Sequence, residues 1–398
     1  MSRLTLLVLM ALLTASPAAS VAGTGVDAPP SDPSTVEAAS TQAVDAAVAN
    51  NTTRRLRLDS VGRQNYSQPG MDFGSTVAMT GQRLEHGFNF EHLSVQVQQA
   101  ASPQAQQALV DSEVDQIRRG IDDMRSRERD AILAYGNGEI TDEQLARRLA
   151  MVHARAVHLD EAISRIENGY GVELGTLHRR TNEYRTPIRS QVLDAIEGDR
   201  EDPVMVHVAG SGQGVVLQSI SESQFDSQYY REAVRIDNFD TDPSDGFNSS
   251  SFLAFVSEQY PFIETENGGT LRPTGTGNWF YDKTSDWGSI RVYADGSTQS
   301  VYREYQTLRM SDLPTSTVHN ETGNATTVSL SETANDGPAQ LVVTDALTGD
   351  PVTASVYVDG ELVGRTDGAG SLWILQPAGE YEVSVRTQDG PVNVSVSP

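Results

Sequence analysis

The fold of this chain is decided by residues 102–169, which read SPQAQQALVDSEVDQIRRGIDDMRSRERDAILAYGNGEITDEQLARRLAMVHARAVHLDEAISRIENG. Apolar residues recur in it at spacings of four and three, which keep one stripe of an α-helix facing a partner. The first stripe comprises Val110, Val114, Ile117, Ile121, Met124, Glu128, Ala131 and Tyr135, with only Glu128 out of character. The second comprises Leu145, Leu149, Val152, Ala156, Leu159, Ile163, Ile166 and Tyr170. Together the stripes predict a helical hairpin with a coiled-coil-like seam.

Both arms of the predicted hairpin carry signals at their ends. Ser102-Pro103 supplies a capping hydroxyl and a proline at the first helical position, where its missing N–H costs nothing. Gly136–Gly138 contains the left-handed residues that end a helix. Thr141 and Gln144 form a capping box for the second arm, which Asn168-Gly169 is expected to end. At about 1.5 Å per residue, the arms are roughly 50 and 40 Å long.

A two-helix hairpin buries only one side of each arm, so other segments must cover it. Phe73, Val77, Leu84 and Phe88 recur at helical spacing and are expected to cover part of the seam. Residues 186–198 open with Thr-Pro and close on glycine, which predicts a second covering helix. Together they predict a bundle over residues 71–200. The alternative is self-association, in which a second copy or another surface protein covers the hairpin.

The first 22 residues have the pattern of an export signal. Arg3 precedes an apolar run from Leu4 to Leu13, and small residues stand at Ser20 and Ala22. No second run of about 20 apolar residues follows, so no transmembrane anchor is expected. The chain contains no cysteine, which excludes disulfides, thiol catalysis and Cys-ligated zinc. We therefore predict an exported protein, extracellular or at the cell surface.

The charge of the chain indicates adaptation to salt. Its formal net charge is −25, and Lys283 is the only lysine among 29 basic residues. Concentrated salt screens carboxylates from one another, so a surface this acidic is tolerated where salt is high. The composition is typical of a halophilic protein. The same charge excludes a nucleic-acid partner.

The remaining chain divides by composition and periodicity. Residues 23–70 are rich in Ala, Ser, Thr and Pro and predict a low-complexity tether. Residues 203–310 alternate apolar and polar positions around one helical segment, which predicts an α+β antiparallel module. Residues 311–337 predict a linker, and residues 338–398 a small all-β sandwich. The predicted fold class is multidomain, with an α-helical hairpin or bundle, then the α+β module, then the sandwich.

Two modules resemble known families. The C-terminal module resembles the carboxypeptidase-regulatory, transthyretin-like β-sandwich through Thr348–Val352, Val356–Gly360, Thr366–Gly370 and Gly379–Tyr381. That resemblance implies a non-catalytic accessory domain without a metal site. The helix over residues 252–260 and the strand pair that follows it are weakly similar to PepSY-type domains of exported proteins, which are often linked to restraining peptidases. Taken whole, the chain resembles an exported haloarchaeal family of unknown function.

The motifs that suggest chemistry fail on inspection. Gly210–Gly214 lacks the sixth-place glycine of a dinucleotide loop and the lysine of a Walker loop, so we interpret it as a hairpin turn. Asp237, Asp240, Asp242 and Asp245 lack the glycine and the final glutamate of a calcium loop. The histidines show no metal-ligand spacing; they are His86, His92, His153, His158, His178, His207 and His319. We therefore predict no catalytic, cofactor-binding or metal-binding residues, and no cofactor.

Aromatic residues and glycosylation sequons suggest surface contacts. The aromatic set, which can pack a core or face a sugar or peptide, comprises Trp279, Tyr281, Trp287, Tyr293, Tyr302 and Tyr305. Candidate glycosylation sites are Asn50, Asn51, Asn65, Asn248, Asn320, Asn324 and Asn393.

Three functions remain open at this stage. The first is a non-enzymatic, exported, salt-adapted cell-envelope protein that acts as a spacer or interaction module, with a cell-surface protein or glycan as partner. The second is a regulator or inhibitor of an extracellular peptidase that acts through the α+β module. The third, a hydrolase, has no motif in its favour.

Overall fold

The structure is a computed structural model that describes residues 56–200, 203–221, 227–240, 246–260, 268–275, 277–285, 288–313, 315–333 and 337–397. All of these residues belong to one compact unit. The predicted export signal lies outside the described residues. The order of a helical part, antiparallel sheet and a small all-β part is confirmed.

The helices are α1 (Phe73–Gln99), α2 (Pro103–Gly136), α3 (Asp142–Tyr170), α4 (Gly175–Asn182), α5 (Pro187–Glu197) and α6 (Ser249–Gln259). The arms α2 and α3 begin where the caps predict. The Ser102 hydroxyl accepts a hydrogen bond from the amide of Ala105, and Thr141 and Gln144 form the full capping box. Helix α3 ends later than expected, on the left-handed Gly171, whose φ is 68°.

The apolar stripe of the hairpin lies inside the protein. Every member of the α2 stripe is buried, including Glu128, and so is every member of the α3 stripe except the half-buried Tyr170. Helix α5 packs against α3 and carries the buried Ile188, Val192 and Ile196. Because the seam is filled from within the chain, the predicted self-association through it is not supported.

The prediction for α1 is wrong in its orientation. Phe73, Val77, Leu84 and Phe88 do not cover the seam, since each is about 70% exposed or more. The opposite side of α1 packs on the bundle instead, through residues such as Met79 and Leu93. Helix α1 is apolar on two faces, and the face that spacing highlights is the outer one.

One antiparallel sheet runs beneath the bundle, with its strands in the order β1-β2-β3-β4-β8-β7-β6-β5. Its strands are β1 (Arg63–Ser67), β2 (Val206–Ser211), β3 (Gly214–Ser221), β4 (Gln228–Arg235), β5 (Thr270–Pro273), β6 (Asn278–Ser285), β7 (Gly288–Asp295) and β8 (Ser300–Arg309). Strand β1 lies within the segment predicted as a tether and forms an edge of the sheet beside β2. The prediction missed it because a five-residue strand is a weak signal in polar sequence.

The two faces of this sheet bury different elements. Ile132, Leu149, Val208 and Leu217 belong to one buried cluster, which joins the hairpin to strands β2 and β3. The distal half of the hairpin packs on α4 in a second cluster that includes Leu177. Helix α6 shares another cluster with Ile290 and Val292 of β7. The helical bundle and the α+β module therefore share one core and are not separate bodies.

The all-β part starts earlier than predicted. Strands β9 (Thr315–Gly323) and β10 (Thr326–Thr333) occupy most of the predicted linker. They pair with β11 (Ala339–Asp345) and β14 (Ser371–Ile374), while the second sheet contains β12 (Ser355–Val358), β13 (Glu361–Arg365), β15 (Tyr381–Thr387) and β16 (Gly390–Val396). Side chains of β10 alternate from Thr326 to Ser331, with Val328 and Leu330 fully buried. Ser- and Thr-rich outer positions hid this alternation.

The sandwich docks on the end of the large sheet. Gln64 of β1 exchanges two hydrogen bonds with the backbone of Ala378, at 2.9 and 2.7 Å. Leu375 shares a buried cluster with Tyr229 and Leu308 of β4 and β8. These contacts make the sandwich continuous with the rest of the described chain.

Candidate functional site

The glycine-rich segment after β2 is a hairpin turn, as interpreted from the sequence. Ser211 and Gly214 are the last paired residues of β2 and β3, and the Ser211 hydroxyl accepts a hydrogen bond from the amide of Gln213 at 3.3 Å. A Cβ on Gly210 would lie 2.4 Å from the Tyr135 ring. The glycine therefore serves the close approach of α2 to the sheet and not a phosphate.

The acidic stretch that resembled a calcium loop is only partly described. Asp237 pairs with Arg235 through two nitrogens, and the amide of Asp240 donates to Asp295 at 3.0 Å. Asp242 and Asp245 lie outside the described residues. Across the described residues, no group of three or more His, Asp or Glu side chains is placed to hold a metal ion.

The hydrogen bonds made by the histidines connect elements of the fold. His178 bridges Asp160 and Glu167 at 2.6 and 3.0 Å, which ties α4 to α3. Burial alone would lower the pKa of His178, but the hydrogen bonds to Asp160 and Glu167 raise it. Burial lowers the pKa of His207 on β2 to about 4. These side chains brace the fold.

The aromatic residues of the sheet pack inside the protein. Tyr293, Tyr302 and Tyr305 are each at most 6% exposed and form one aromatic cluster with Phe280. Tyr281 lies on the other face with α6. Trp287 lies outside the described residues. The described aromatic set is therefore core, and a platform for sugar or peptide is not supported.

The candidate glycosylation sites fall in different surroundings. Asn50 and Asn51 lie outside the described residues. Two side-chain amides are already engaged, since Asn65 donates to Asp142 at 3.0 Å and Asn324 donates to the carbonyl of Pro391 at 2.8 Å. The side-chain oxygen of Asn248 caps α6. All five described candidates are exposed residues, and Asn320 and Asn393 lie on strands β9 and β16.

Glu128, the polar interruption in the α2 stripe, has charged partners that the sequence analysis did not predict. Glu128 contacts arginines from two other elements, which in turn bind two further glutamates, and we name the whole set the buried charge cluster. Its members are Glu128 on α2, Glu183 after α4, Arg189 on α5, Glu232 on β4 and Arg303 on β8. Each is at most 3% exposed. The sequence signal for this cluster is the presence of charged residues within strands β4 and β8.

The charges of the buried charge cluster are paired with one another. Arg303 donates hydrogen bonds to both carboxylate oxygens of Glu128, and the distance from its Nη1 to Oε1 of Glu128 is 2.9 Å. Arg189 donates to Glu232, with its Nε 2.8 Å from Oε1, and also reaches Glu128. Burial alone would raise the pKa of Glu128, but the two arginines outweigh burial and lower it to about 2. Glu128 therefore stays ionised at neutral pH, and its two arginines fix the hairpin on the sheet.

The remaining unusual feature is the outer face of α1, which we name the α1 stripe. It comprises Phe73, Val77, Leu84, Phe88 and Val95, which are 75, 71, 69, 71 and 49% exposed. At 3.6 residues per turn these positions fall within roughly 60° of one another. Lone exposed apolar residues are ordinary, whereas a contiguous row of them marks an interaction site. The α1 stripe is the candidate site.

A small residue borders the α1 stripe between Val77 and Leu84. Gly81 lies at its border, and a Cβ there would meet nothing within 4 Å. Glu91 is the exposed charged position within the same arc. In the described part of the chain, no helix is long and apolar enough to cross a membrane.

Comparison with known families divides the chain into three parts. A domain of unknown function (DUF7096) matches residues 1–201, and a family of unknown function (DUF7094) matches residues 206–314. An archaeal fibronectin-III type-like domain matches residues 317–394. No curated protein and no solved structure matches the chain. The third match begins in β9, in agreement with the early start of the sandwich.

These matches correct the predicted resemblances. The β-sandwich class of the C-terminal part is confirmed, but the family that matches it is fibronectin-III type-like and not transthyretin-like. The middle part matches a family of unknown function, and nothing supports the PepSY resemblance. The broader resemblance, to an archaeal family of unknown function, agrees with the three matches.

Proposed function

The chain belongs to the family defined by the domain of unknown function DUF7096, and from that premise we propose that it is a non-enzymatic, exported envelope protein of a salt-loving archaeon. In this proposal it pairs with a second copy through the α1 stripe. The exposed α1 stripe is the observation that carries the proposal. Its helix lies within the region that this family match covers.

The favoured occupant of the α1 stripe is a second copy, because the stripe complements itself. An antiparallel copy centred between residues 82 and 83 places Val77 beside Phe88 and Gly81 beside Leu84. Large side chains then fill the spaces left by small ones, as knobs fill holes between paired helices. The same register sets Glu91 opposite Gly74, so the two copies of Glu91 do not face each other.

A lipid surface suits the α1 stripe less well. Helices that lie on membranes carry Lys and Arg along the polar face, where they meet anionic lipids. Helix α1 contains one arginine, Arg83, and the whole chain carries a net charge of −25. With a single arginine, α1 has little electrostatic attraction to an anionic membrane, whereas pairing of two apolar stripes needs none once salt screens the surrounding charges.

Export and salt adaptation rest on the sequence. The apolar run from Leu4 to Leu13 supports export, and the excess of carboxylates with a single lysine supports life in salt. Helices α2 and α3 are roughly 50 and 40 Å long, so a paired protein would hold its sandwiches apart as a spacer.

The test is a mass measurement by light scattering in molar salt. We expect a concentration-dependent dimer, and we expect Leu84→Glu to make it a monomer because the glutamate would be buried without a partner. Leu253→Glu is the control, since Leu253 is an exposed leucine on another helix, α6, at 47% exposure. It should leave the dimer intact.

Two outcomes would overturn this assignment. If residues 23–55 cover the α1 stripe, the full chain is a monomer and a variant lacking those residues dimerises. If lipid is the occupant, the monomer floats with vesicles and Leu84→Glu releases it. The peptidase-regulator alternative remains a separate prediction, which retarded cleavage by an extracellular protease would support.

A further inference from the structure

A polar cavity of about 850 Å³ lies where α2, α4 and the start of β6 meet. Four arginines line it, namely Arg118, Arg125, Arg179 and Arg180. Two glutamates, Glu173 and Glu183, line it as well. Four arginines on one cavity are unusual in a chain with 29 basic and 54 acidic residues. A cavity of this volume suits a small molecule better than a single ion.

The four arginines are not equivalent. Arg118 and Arg180 already pair with exposed aspartates, Asp115 and Asp122, at 2.7 and 2.6 Å. Arg179 instead donates to neutral groups, the carbonyl of Pro273 at 2.9 Å and the hydroxyl of Thr176 at 3.0 Å. These two bonds hold its guanidinium in place without cancelling its charge.

Arg125 is held by an aromatic ring. Its guanidinium carbon lies 4.3 Å from the centre of the Phe239 ring, a cation–π contact. Burial would lower the pKa of Arg125, but nearby Tyr184 and Glu183 raise it. Glu183 also lies 3.5 Å from Arg303 of the buried charge cluster. Arg125 and Arg179 are therefore the two arginines of the cavity with no carboxylate within ion-pair distance among the described residues, and Glu183 acts on Arg125 from farther away.

The start of α4 adds further attraction for an anion. Leu174, Gly175 and Thr176 line the cavity, and no side chain caps this helix. Uncapped helix starts present unpaired amides and the positive end of the helix dipole. The Leu174 amide is already bound to Glu167 at 2.6 Å, which anchors the start of the helix.

Asn278 supplies an independent sign of a ligand. It lines the cavity and is 8% exposed, yet its side-chain oxygen accepts no hydrogen bond within the described chain. A buried polar atom without a partner costs free energy, so such an atom requires an explanation. The oxygen itself is fully covered in this structure, so a hydroxyl group on a bound molecule would satisfy it once the Asn278 amide turns towards the cavity.

We propose that this cavity binds a hydroxylated carboxylic acid, with an acidic sugar as the simplest example. The carboxylate meets Arg125, Arg179 and the start of α4, and a hydroxyl group donates to the side-chain oxygen of Asn278. A monoanion fits better than a phosphate dianion because Glu173 and Glu183 also line the cavity. The inference concerns a different surface from the α1 stripe and does not depend on pairing.

The experiment is isothermal titration calorimetry, in which D-glucuronate is added to the full chain at constant molar salt. D-Glucose has the same ring without the carboxylate, and acetate has the carboxylate without the hydroxyls. We expect glucuronate to bind at least about tenfold more tightly than either, since both kinds of contact contribute. Equal binding of glucose and glucuronate, or stronger binding of inorganic phosphate, would overturn the proposal without any variant.

Variants then locate the site. Arg179→Gln and Arg125→Gln should each weaken glucuronate binding by about tenfold or more, because each removes a charge-assisted hydrogen bond. Arg127→Gln is the control, since Arg127 lies on the same helix as Arg125, α2, but pairs with Asp123. Asn278→Leu should weaken glucuronate and leave acetate unchanged. Equal losses in Arg127→Gln and Arg179→Gln would contradict the assignment.

A final comparison distinguishes a free acid from the acidic end of a glycan as the natural ligand. If the ligand is a free acid, it fits wholly inside the cavity, and an oligosaccharide ending in glucuronate should bind more weakly than the monosaccharide. If the ligand is the end of a glycan, the rest of the chain extends beyond the cavity, and the oligosaccharide should bind at least as tightly. Circular dichroism of each variant in molar salt verifies that it is folded.

Discussion

At the scale of single residues, Glu128 explains most about how this protein holds together. A helical seam of apolar residues contains one glutamate, and that glutamate receives Arg303 from the sheet and Arg189 from α5. A buried charge without a partner is costly, so the native arrangement is favoured over any packing that separates them. The buried charge cluster therefore determines how the hairpin sits on the sheet.

Replacing Glu128 tests this role. Glu128→Gln removes the carboxylate that Arg303 binds through both oxygens and leaves Arg303 with Glu183 alone, at 3.5 Å. This loss should lower the free energy of unfolding by about 3–5 kcal/mol. The matched control is Asp130→Asn on the exposed side of α2, which should change it by less than about 0.5 kcal/mol. Denaturant titration in molar salt measures both. Equal stability of the two variants would mean that the buried charge cluster does not stabilise the fold.

The histidines give stability two opposite pH dependences. Burial lowers the pKa of His207 to about 4, so its contribution is complete above 6.5, the ordinary value, and is lost as pH falls towards 4. The pKa of His178 is raised by Asp160 and Glu167 despite burial. Its contribution is therefore complete below 6.5 and is lost as pH rises through the raised pKa.

We expect His207→Phe to make the acid side of the stability profile less steep and His178→Gln to do the same on the alkaline side. His153, whose pKa burial also lowers to about 4, keeps part of the acid slope in His207→Phe. For His207 the effect between pH 6.5 and 4 is at most roughly 3 kcal/mol. Thermal unfolding at half-unit pH steps in molar salt measures it. A profile for His207→Phe that falls as steeply as the wild type below pH 6.5 would contradict this prediction.

At the scale of elements, the end of α2 and the β2–β3 hairpin are joined by two glycines. A Cβ on Gly136 would lie 2.4 Å from the carbonyl oxygen of Ser211, and a Cβ on Gly210 equally close to the Tyr135 ring. Backbone and ring thus lie too close for any larger residue. This contact places the tip of the helical hairpin on the sheet.

A single methyl group should disturb this contact. Gly210→Ala forces the Tyr135 ring or β2 to move, at a cost of about 1–3 kcal/mol. Gly212→Ala is the control in the same turn, because a Cβ there meets nothing within 4 Å. Thermal unfolding of the two variants separates them. If Gly212→Ala is destabilised as much as Gly210→Ala, the glycines serve the turn itself and not the contact.

At the scale of the whole molecule, charge and architecture combine. The described residues form one compact unit, while the net charge of the full sequence, −25, opposes compaction. In molar salt the screening length is about 3 Å, so only adjacent charges interact. At low salt the carboxylates repel over longer distances and oppose the same packing.

We therefore expect cooperative folding in molar salt and loss of helix on dilution to about 50 mM salt, where screening is weak. Far-ultraviolet circular dichroism during stepwise dialysis measures this. Return to molar salt should restore the helix signal, which separates unfolding by repulsion from aggregation. Full helicity kept at low salt would contradict the prediction that folding of this protein depends on salt.

Local features of the chain were sufficient to determine the helical hairpin, because caps and spacing lie within contiguous residues. Ser102, Thr141 and the apolar stripes each act within one or two turns of helix. The same holds for the order of helical, mixed and all-β parts.

Only the tertiary structure decided what lies against each face. Spacing shows that a face is apolar but not which neighbour covers it, so it could not tell the buried side of α1 from the exposed one. The partners of Glu128 and the walls of the arginine-lined cavity come from segments far apart in sequence, such as α2 and β6. Strands β9 and β10 were hidden because one polar face of a sandwich strand resembles a linker until its partner strand is known.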